Sequence, residues 1–333
     1  MLLRVLTVCL AVLLPVFIPV SSFSAVHRVA DADGLKEALG RAQQGDAILL
    51  LDGVYALEKQ WAFKIRTPEI VLRSASGNRH AVIIEGNGMY GDSQQHGISV
   101  GADDVTIADI TIQQVSNHCI KLESDVKRLH VVNCVLKDAG EQILKGVKSA
   151  ENAFSSIDCL VENCLFEYTQ KVGPRFYIGG IDVHQGQNWI VKNNIFRFIR
   201  SPEKKVAEHA VHFWSGSQNT RVENNLIYNC DRGIGFGLGS SGHLGGVIRN
   251  NVVIHTGIAG HNDVAISLES SPHTEVIGNS VTLMGRYRKA IEYRFPKTTN
   301  VKIRGNIVNK AIAARDGASA IVEGNHFVGN VSQ

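Results

Sequence analysis

A short phrase recurs along this chain and limits its fold more tightly than any other feature. It runs apolar, polar, Asn or Gly, Asn, apolar. It reads IIEGNG (83–88), VKNNIF (191–196), VENNLI (222–227), IRNNVV (248–253), VIGNSV (276–281), IRGNIV (303–308) and VEGNHF (322–327), with weaker copies at 107–112, 131–136 and 161–166. The second Asn position falls at 87, 110, 134, 164, 194, 225, 251, 279, 306 and 325, in steps of 19 to 31 residues. That period is one coil of a β-solenoid, whose single coils cannot bury their apolar side alone but whose stack can. Asn at such a turn tolerates the left-handed backbone region, and its amide can bond the Asn one coil away. These Asn residues therefore read as structural. The prediction is an all-β, single-stranded, right-handed parallel β-helix of about ten coils.

A second strand column aligns beside the turns: GISVG (97–101), CIKLE (119–123), GIDVH (180–184), AVHFW (210–214), GIGFG (233–237), AISLE (265–269) and AIEYR (290–294). Strand side chains alternate between faces. One register stacks Ile98, Ile120, Ile181, Val211, Ile234, Ile266 and Ile291 inward, and with them Val100, Leu122, Val183, Phe213, Phe236, Leu268 and Tyr293. The segment EQILKGVK (141–148) does not declare its register. Charged residues at 20%, with 32 Gly and 7 Pro, suit short strands joined by tight turns.

The N-terminus reads as an export signal over residues 1–24: Arg4, then an apolar run broken by Pro15 and Pro19, then Ser22 and Ser24 before the cut. It is too short and too Pro-broken for a good membrane span, so no stable membrane insertion is expected. A periplasmic or secreted location follows, with one domain over 25–333. Residues 33–44 read as a short helix, capped by Asp33, with Leu35, Ala38, Leu39 and Ala42 on one face; it would plug the open end of the solenoid. Without the leader, 33 Lys and Arg face 31 Asp and Glu, a balance that argues against nucleic acid as a partner. The remaining cysteines (Cys119, Cys134, Cys159, Cys164 and Cys230) have no zinc-finger spacing and read as small buried hydrophobes. A monomer is expected.

With the inward register set, the outward rows read Ser99, Lys121, Asp182, His212, Gly235, Ser267, Glu292 and Gly101, Glu123, His184, Trp214, Gly237, Glu269, Arg294. Neighbouring strands lie about 4.8 Å apart. Asp182 and His212 should sit side by side, with His184 and Trp214 next to them. Gly235 and Gly237 would form a bare floor, with Glu269, Glu292 and Arg294 beyond. Such a groove suits a sugar: an indole stacks on a ring face, while carboxylates and imidazoles bond hydroxyls. His209, three residues from His212, should point to the other side of its strand, and His118, His243, His261 and His273 read as solvated turn residues. A metal held by Asp182, His184 and His212 is one use of this face. β-Elimination from a uronate needs a cation and a base. Lys145, Lys148, Arg232 and Arg294 supply cations, and His184, His212 or Lys145 a base. A glycoside hydrolase would instead pair Glu269 with Glu292 on adjacent coils. A carbohydrate-binding module would use Trp214 and the groove without turnover.

The Asn-turn repeat and the N-terminal segment GLKEALGRAQQGDAILLLDGVYAL (34–57) resemble the pectate-lyase-like right-handed parallel β-helix superfamily, and within it the chondroitinase B and alginate lyase family. That resemblance implies an exported lyase on an acidic polysaccharide, with a Lys base, an Arg on a neighbouring coil and an acidic Ca²⁺ site. EQILKGVKS (141–149) is similar to the family's lysine segment, making Lys145 or Lys148 the counterpart. The following coil departs from it: the family's Leu-Arg-His-Gly phrase is replaced here by IDVHQG (181–186). The Arg is missing, which favours another use of Asp182, His184 and His212.

Overall fold

The structure is a computed structural model that describes residues 23–58, 60–91, 94–258 and 262–329; residues 1–22 of the expected leader and His261 lie outside the described residues. Successive coils stack in parallel into sheets of twelve, eleven, ten and five strands. A coil visits them in fixed order. One coil runs through Thr106–Ala108 in the twelve-stranded sheet and Thr111–Val115 in the eleven-stranded sheet. It continues through Ile120–Leu122 in the ten-stranded sheet and Val126–Lys127 in the five-stranded sheet.

The ten-stranded sheet carries the expected inward column. Ile98, Ile120, Leu144, Ile181, Val211, Ile234, Ile266 and Ile291 are paired in that order and all are fully buried. Leu144 places the segment left open above. In the strand Gln142–Gly146, Lys145 faces outward between Lys121 and Asp182, and Gly146 takes the inward place held elsewhere by Leu122 and Val183. No apolar side chain marks that inward place because Val183 packs into it: a Cβ on Gly146 would lie 3.1 Å from Val183 Cγ1.

The two Asn roles fall on two successive residues. The first takes the left-handed backbone, at Asn193, Asn224 and Asn250 and, where Gly stands instead, at Gly278, Gly305 and Gly324. The second forms a buried amide ladder. Asn194 Nδ2 donates to Asn225 Oδ1, Asn225 to Asn251, Asn251 to Asn279, Asn279 to Asn306 and Asn306 to Asn325, at 2.8–3.0 Å. Cys164 and Cys134 continue the column, Cys164 N donating to Asn194 Oδ1 and Cys134 N to Cys164 Sγ. Asn87 is not in it; it follows the strand Val82–Glu85 and bonds Glu58 O instead. Each ladder Asn also bonds a carbonyl one coil back, as Asn251 Nδ2 does to Val222 O at 2.9 Å. Asn251→Ala is expected to cost about 3 kcal/mol, because it strands two Asn225 donors and the Val222 carbonyl in a dry interior. The midpoint of urea unfolding measures it; a change below ~0.5 kcal/mol would contradict a structural ladder.

The plugging helix spans Ala32–Arg41, shorter than expected, and its cap is Asp31, not Asp33. Asp31 is extended and its carboxylate accepts from Gly34 N at 2.8 Å, so Asp33 already lies in the first turn. Leu35 and Ala38 bury themselves against the first coils. The five cysteines among the described residues are buried and free. Burial pushes the Cys159 and Cys230 thiols up to about 12, so they behave as packing groups rather than nucleophiles.

Candidate active site

The outward rows of the ten-stranded sheet converge as expected at one place, with one addition. Asp182 pairs with His212 and His184 with Trp214, while Lys145 stands directly before Asp182. The Lys145 ammonium bonds Asp182 Oδ2 and lies 3.2 Å from His184 Nε2. Trp214 Nε1 donates to Asp182 Oδ1 at 2.7 Å. Asp182 and His212 are buried, while Lys145, His184 and Trp214 are partly exposed in front of them. The imidazole of His184 lies against the Trp214 indole, ring centroids 4.2 Å apart, and that of His212 is stacked parallel to the indole at 5.6 Å and 6°.

Charge states follow from these contacts. Burial works to raise the Asp182 carboxyl, but the charges of Lys145 and His212 and the Lys145 hydrogen bond outweigh it and hold Asp182 below the usual carboxylate range. Burial and then the Lys145 charge push His184 down to about 4, so its ring is neutral near pH 7. An ammonium can only donate, so His184 Nε2 accepts from Lys145 and the ring proton sits on Nδ1, donating to Ser215 Oγ at 3.1 Å. Lys145 has three donors; Asp182 and His184 take two, and the third is free for an anion.

The other expected residues are elsewhere. Arg232 is tied to Asp263 at 2.9 Å. Glu269, Glu292 and Arg294 belong to a separate ion-pair network with Arg315 and Asp316, and Arg294 is four strands from Asp182, roughly 19 Å at strand spacing. Burial would raise the Glu292 carboxyl, but hydrogen bonds from Tyr287 and Arg315 and the charge of Lys289 hold it below its usual range. The glycine floor is not bare. The ring of His209 sits over Gly235, where an added Cβ would meet it at 2.7 Å, and at Gly237 (φ +78°) a Cβ would meet Glu269 O at 1.8 Å. His209 thus emerges on the same face as His212, ring centroids 4.6 Å apart, because Ala210 and Val211 are both buried and break the alternation. His118 and His243 are buried, not solvated; His273 is exposed.

Sequence reasoning overlooked one aromatic. Trp61 lies beside the same outward row, with the ammonium groups of Lys64 and Lys121 each 4.9 Å from its ring. Lys64, Ser99, Lys121 and Lys145 are in register along the sheet. A concavity of about 450 Å³ opens there, lined by Lys36, Gln60, Trp61, Lys64, Arg66 and Thr67. The signal was the pair of cations three and five residues past the indole in WAFKIR (61–66), a strand that no aligned phrase marked.

A family model described as a right handed beta helix region matches residues 68–241 and 179–333. The chain belongs to that family. Solved structures show the same fold. The alginate lyase from Paenibacillus sp. str. FPU-7 superposes with a TM-score of 0.64 at 18% identity, over 89% of this chain and 99% of that one. A mannuronic acid specific polysaccharide family 6 lyase from human gut microbiota gives 0.60 at 16%, over 91% and 79%. A hyperthermoactive exopolygalacturonase from Thermotoga maritima gives 0.55 at 10%, over 92% of each chain. The fold is that of the pectate-lyase-like parallel β-helices. No curated protein matches the chain in sequence. Among the described residues, no helix is long and apolar enough to cross a membrane.

Among the described residues, no three acidic side chains lie within 4.8 Å of one another as the acidic Ca²⁺ site implied by the resemblance would have them. Ca²⁺ takes six to eight oxygen ligands. Among the described residues, the group of three or more acidic, His or Cys side chains close enough to share an ion is Glu208, His209 and His212, in which two of three donors are imidazoles.

Proposed function

We propose that this β-helix is an exported polysaccharide-processing enzyme, acting as a monomer in the periplasm or outside the cell, and that it cleaves a uronate-containing polysaccharide by β-elimination. The observation that carries the reading is the contact between the Lys145 ammonium and the neutral His184 imidazole, on an outward face beside Trp214. It sets a cation and a base side by side, the two groups elimination requires. The free Lys145 donor takes the uronate carboxylate and lowers the acidity barrier at the carbon next to it. When the Lys145 donor that His184 Nε2 holds also turns to the uronate carboxylate, the Nε2 lone pair is freed and accepts the proton from that carbon. The C4–O4 bond breaks, and the proton on Nε2 is the one available to the departing O4. An incoming carboxylate also offsets the Lys145 charge that depresses His184, so the base strengthens as substrate binds. Asp182 and His212, buried behind, hold Lys145 and the indole in place.

The row Lys64, Lys121 and Lys145 spans three strand spacings, roughly 14 Å, and offers a track for neighbouring uronates, with Trp61 as a stacking surface. Two of the fold neighbours are an alginate lyase and a mannuronic acid specific lyase, so alginate heads the substrates to try. The hydrolase alternative lacks support: Glu292 is held ionised and both Glu269 and Glu292 are committed to arginines, whereas a glycosidase needs one carboxylic acid kept protonated.

Incubation with alginate, polygalacturonate and glycosaminoglycans should produce ultraviolet absorbance from an unsaturated uronate end, and His184→Ala should lower that rate by about 10²–10⁴-fold. New reducing ends without absorbance would show hydrolysis instead. Binding without turnover on any of them would sink the enzyme reading.

A further inference from the structure

Behind the Lys145 cluster, three side chains converge, none of which touches the substrate in the elimination chemistry. Glu208, His209 and His212 each present a ligand atom within 4.8 Å of the others. His212 Nε2 is 3.2 Å from Gly237 O. A carbonyl only accepts, so Nε2 carries a proton, and Nδ1 faces two carboxylates, Asp182 Oδ1 at 3.5 Å and Glu208 Oε2 at 3.9 Å. Two carboxylates around one ring nitrogen favour a cation between them, a proton or a metal ion. His209 adds to this. Its Nε2 meets Ser267 Oγ at 2.9 Å, while its Nδ1 is buried without a hydrogen-bond partner. A buried orphan nitrogen is costly. The ring is nonetheless held firmly, in the space that Gly235 leaves by lacking a Cβ.

We propose that Glu208, His209 and His212 bind a zinc-like divalent transition-metal ion. Metal-bound histidines engage their second ring nitrogen with a carbonyl or hydroxyl, which fixes tautomer and orientation. Gly237 O and Ser267 Oγ occupy that place here. Tetrahedral zinc with bonds of about 2.0–2.1 Å needs ligand atoms roughly 3.3 Å apart, so the 3.9 Å between His212 Nδ1 and Glu208 Oε2 closes with small side-chain shifts. Two imidazoles and one carboxylate select zinc-like ions over Ca²⁺ or Mg²⁺. Glu208 is the most exposed of the three and marks the entry side. Three protein ligands leave one position open. The inference goes beyond the lyase reading and does not depend on it.

The test uses the full chain stripped with a chelator and titrated with Zn²⁺ by calorimetry, with Co²⁺ as a visible spectroscopic probe and Ca²⁺ as the comparison. One Zn²⁺ per chain is expected at micromolar or tighter affinity, with ligand-field absorption from Co²⁺ and a higher melting temperature when zinc is present. His209→Gln should weaken binding by about 100-fold and Glu208→Gln by about 10-fold or more. The His209 ring fills space over Gly235, so that variant risks misfolding; Glu208→Gln, isosteric and nearer the surface, carries the test if it does. Absence of stoichiometric zinc binding, affinity unchanged in Glu208→Gln, or a preference for Ca²⁺ would each overturn the proposal. Because the readout is binding, zinc uptake by a protein inactive on every polysaccharide would support it while removing the lyase reading.

Discussion

Lys145→Met is expected to reduce kcat/KM on the cleaved uronate polymer by about 10³-fold or more and to destabilise the fold by about 3 kcal/mol. The two losses have different origins. Activity falls because the charge facing the substrate carboxylate disappears, and with it the donor next to His184 Nε2. Stability falls because Asp182 is buried and keeps its negative charge with only the Trp214 N–H and the His212 ring beside it. Removing one partner of a buried pair leaves an uncompensated charge, which costs more than the pair contributed. Adding Asp182→Asn to Lys145→Met should therefore recover most of the stability, since a neutral amide tolerates that site, and none of the activity. Steady-state kinetics and urea unfolding on the single and double variants separate the two. If Lys145→Met kept activity within about tenfold of the unchanged chain, the cation would have to come from elsewhere. Arg294 would not serve, since Glu269 and Asp316 already hold it.

How much of this the sequence discloses depends on whether a residue sits where a repeated pattern continues. The inward isoleucines and the adjacency of Asp182 with His212 and of His184 with Trp214 are legible because period-two alternation and coil stacking determine both. Lys145 lies in the one strand whose inward place is a glycine, so its register becomes visible only when Val183 is seen filling Gly146's space. The resemblance to the lyase lysine segment selects the residue, but the packing gives its neighbours. His209 is misread because alternation fails where Ala210 and Val211 both turn inward. For the same reason Gly235 and Gly237 read as an open floor, when one seats a ring and the other relieves backbone crowding at φ +78°. The helix cap moves from Asp33 to Asp31 because capping depends on which carboxylate reaches Gly34 N, and both spacings look alike in one dimension.

Acid should unfold this β-helix well above the pH at which its carboxylates titrate. Burial pushes His118 and His243 down to about 3. His118 donates from Nδ1 to Gln142 O at 2.7 Å and stacks on His96. His243 stacks on Phe236 at 4.0 Å, bonds Thr220 Oγ1 through Nε2, and has a buried Nδ1 with no partner to receive a proton. In the unfolded chain each histidine titrates near 6.5. Between about pH 6.5 and 3 the unfolded state therefore binds more protons than the native one, and stability rises with pH across that window. It is fully present above about 6.5 and is lost as pH falls through the folded values. Each histidine contributes a slope of about 1.4 kcal/mol per pH unit, so the two together remove roughly 4 kcal/mol between pH 6.5 and 5. His96, His184 and His255, less deeply buried and lowered to about 4, act in the same direction. Asp46, Asp104 and Asp182, held below the usual range, keep their charge through this interval and add their own loss only at lower pH. Urea midpoints at pH 7, 6 and 5 measure the slope, and His243→Gln should flatten it by one proton's worth. A midpoint unchanged from pH 7 to 5 would mean that these imidazoles charge in the native state, and that the interior around Phe236 and His96 admits water.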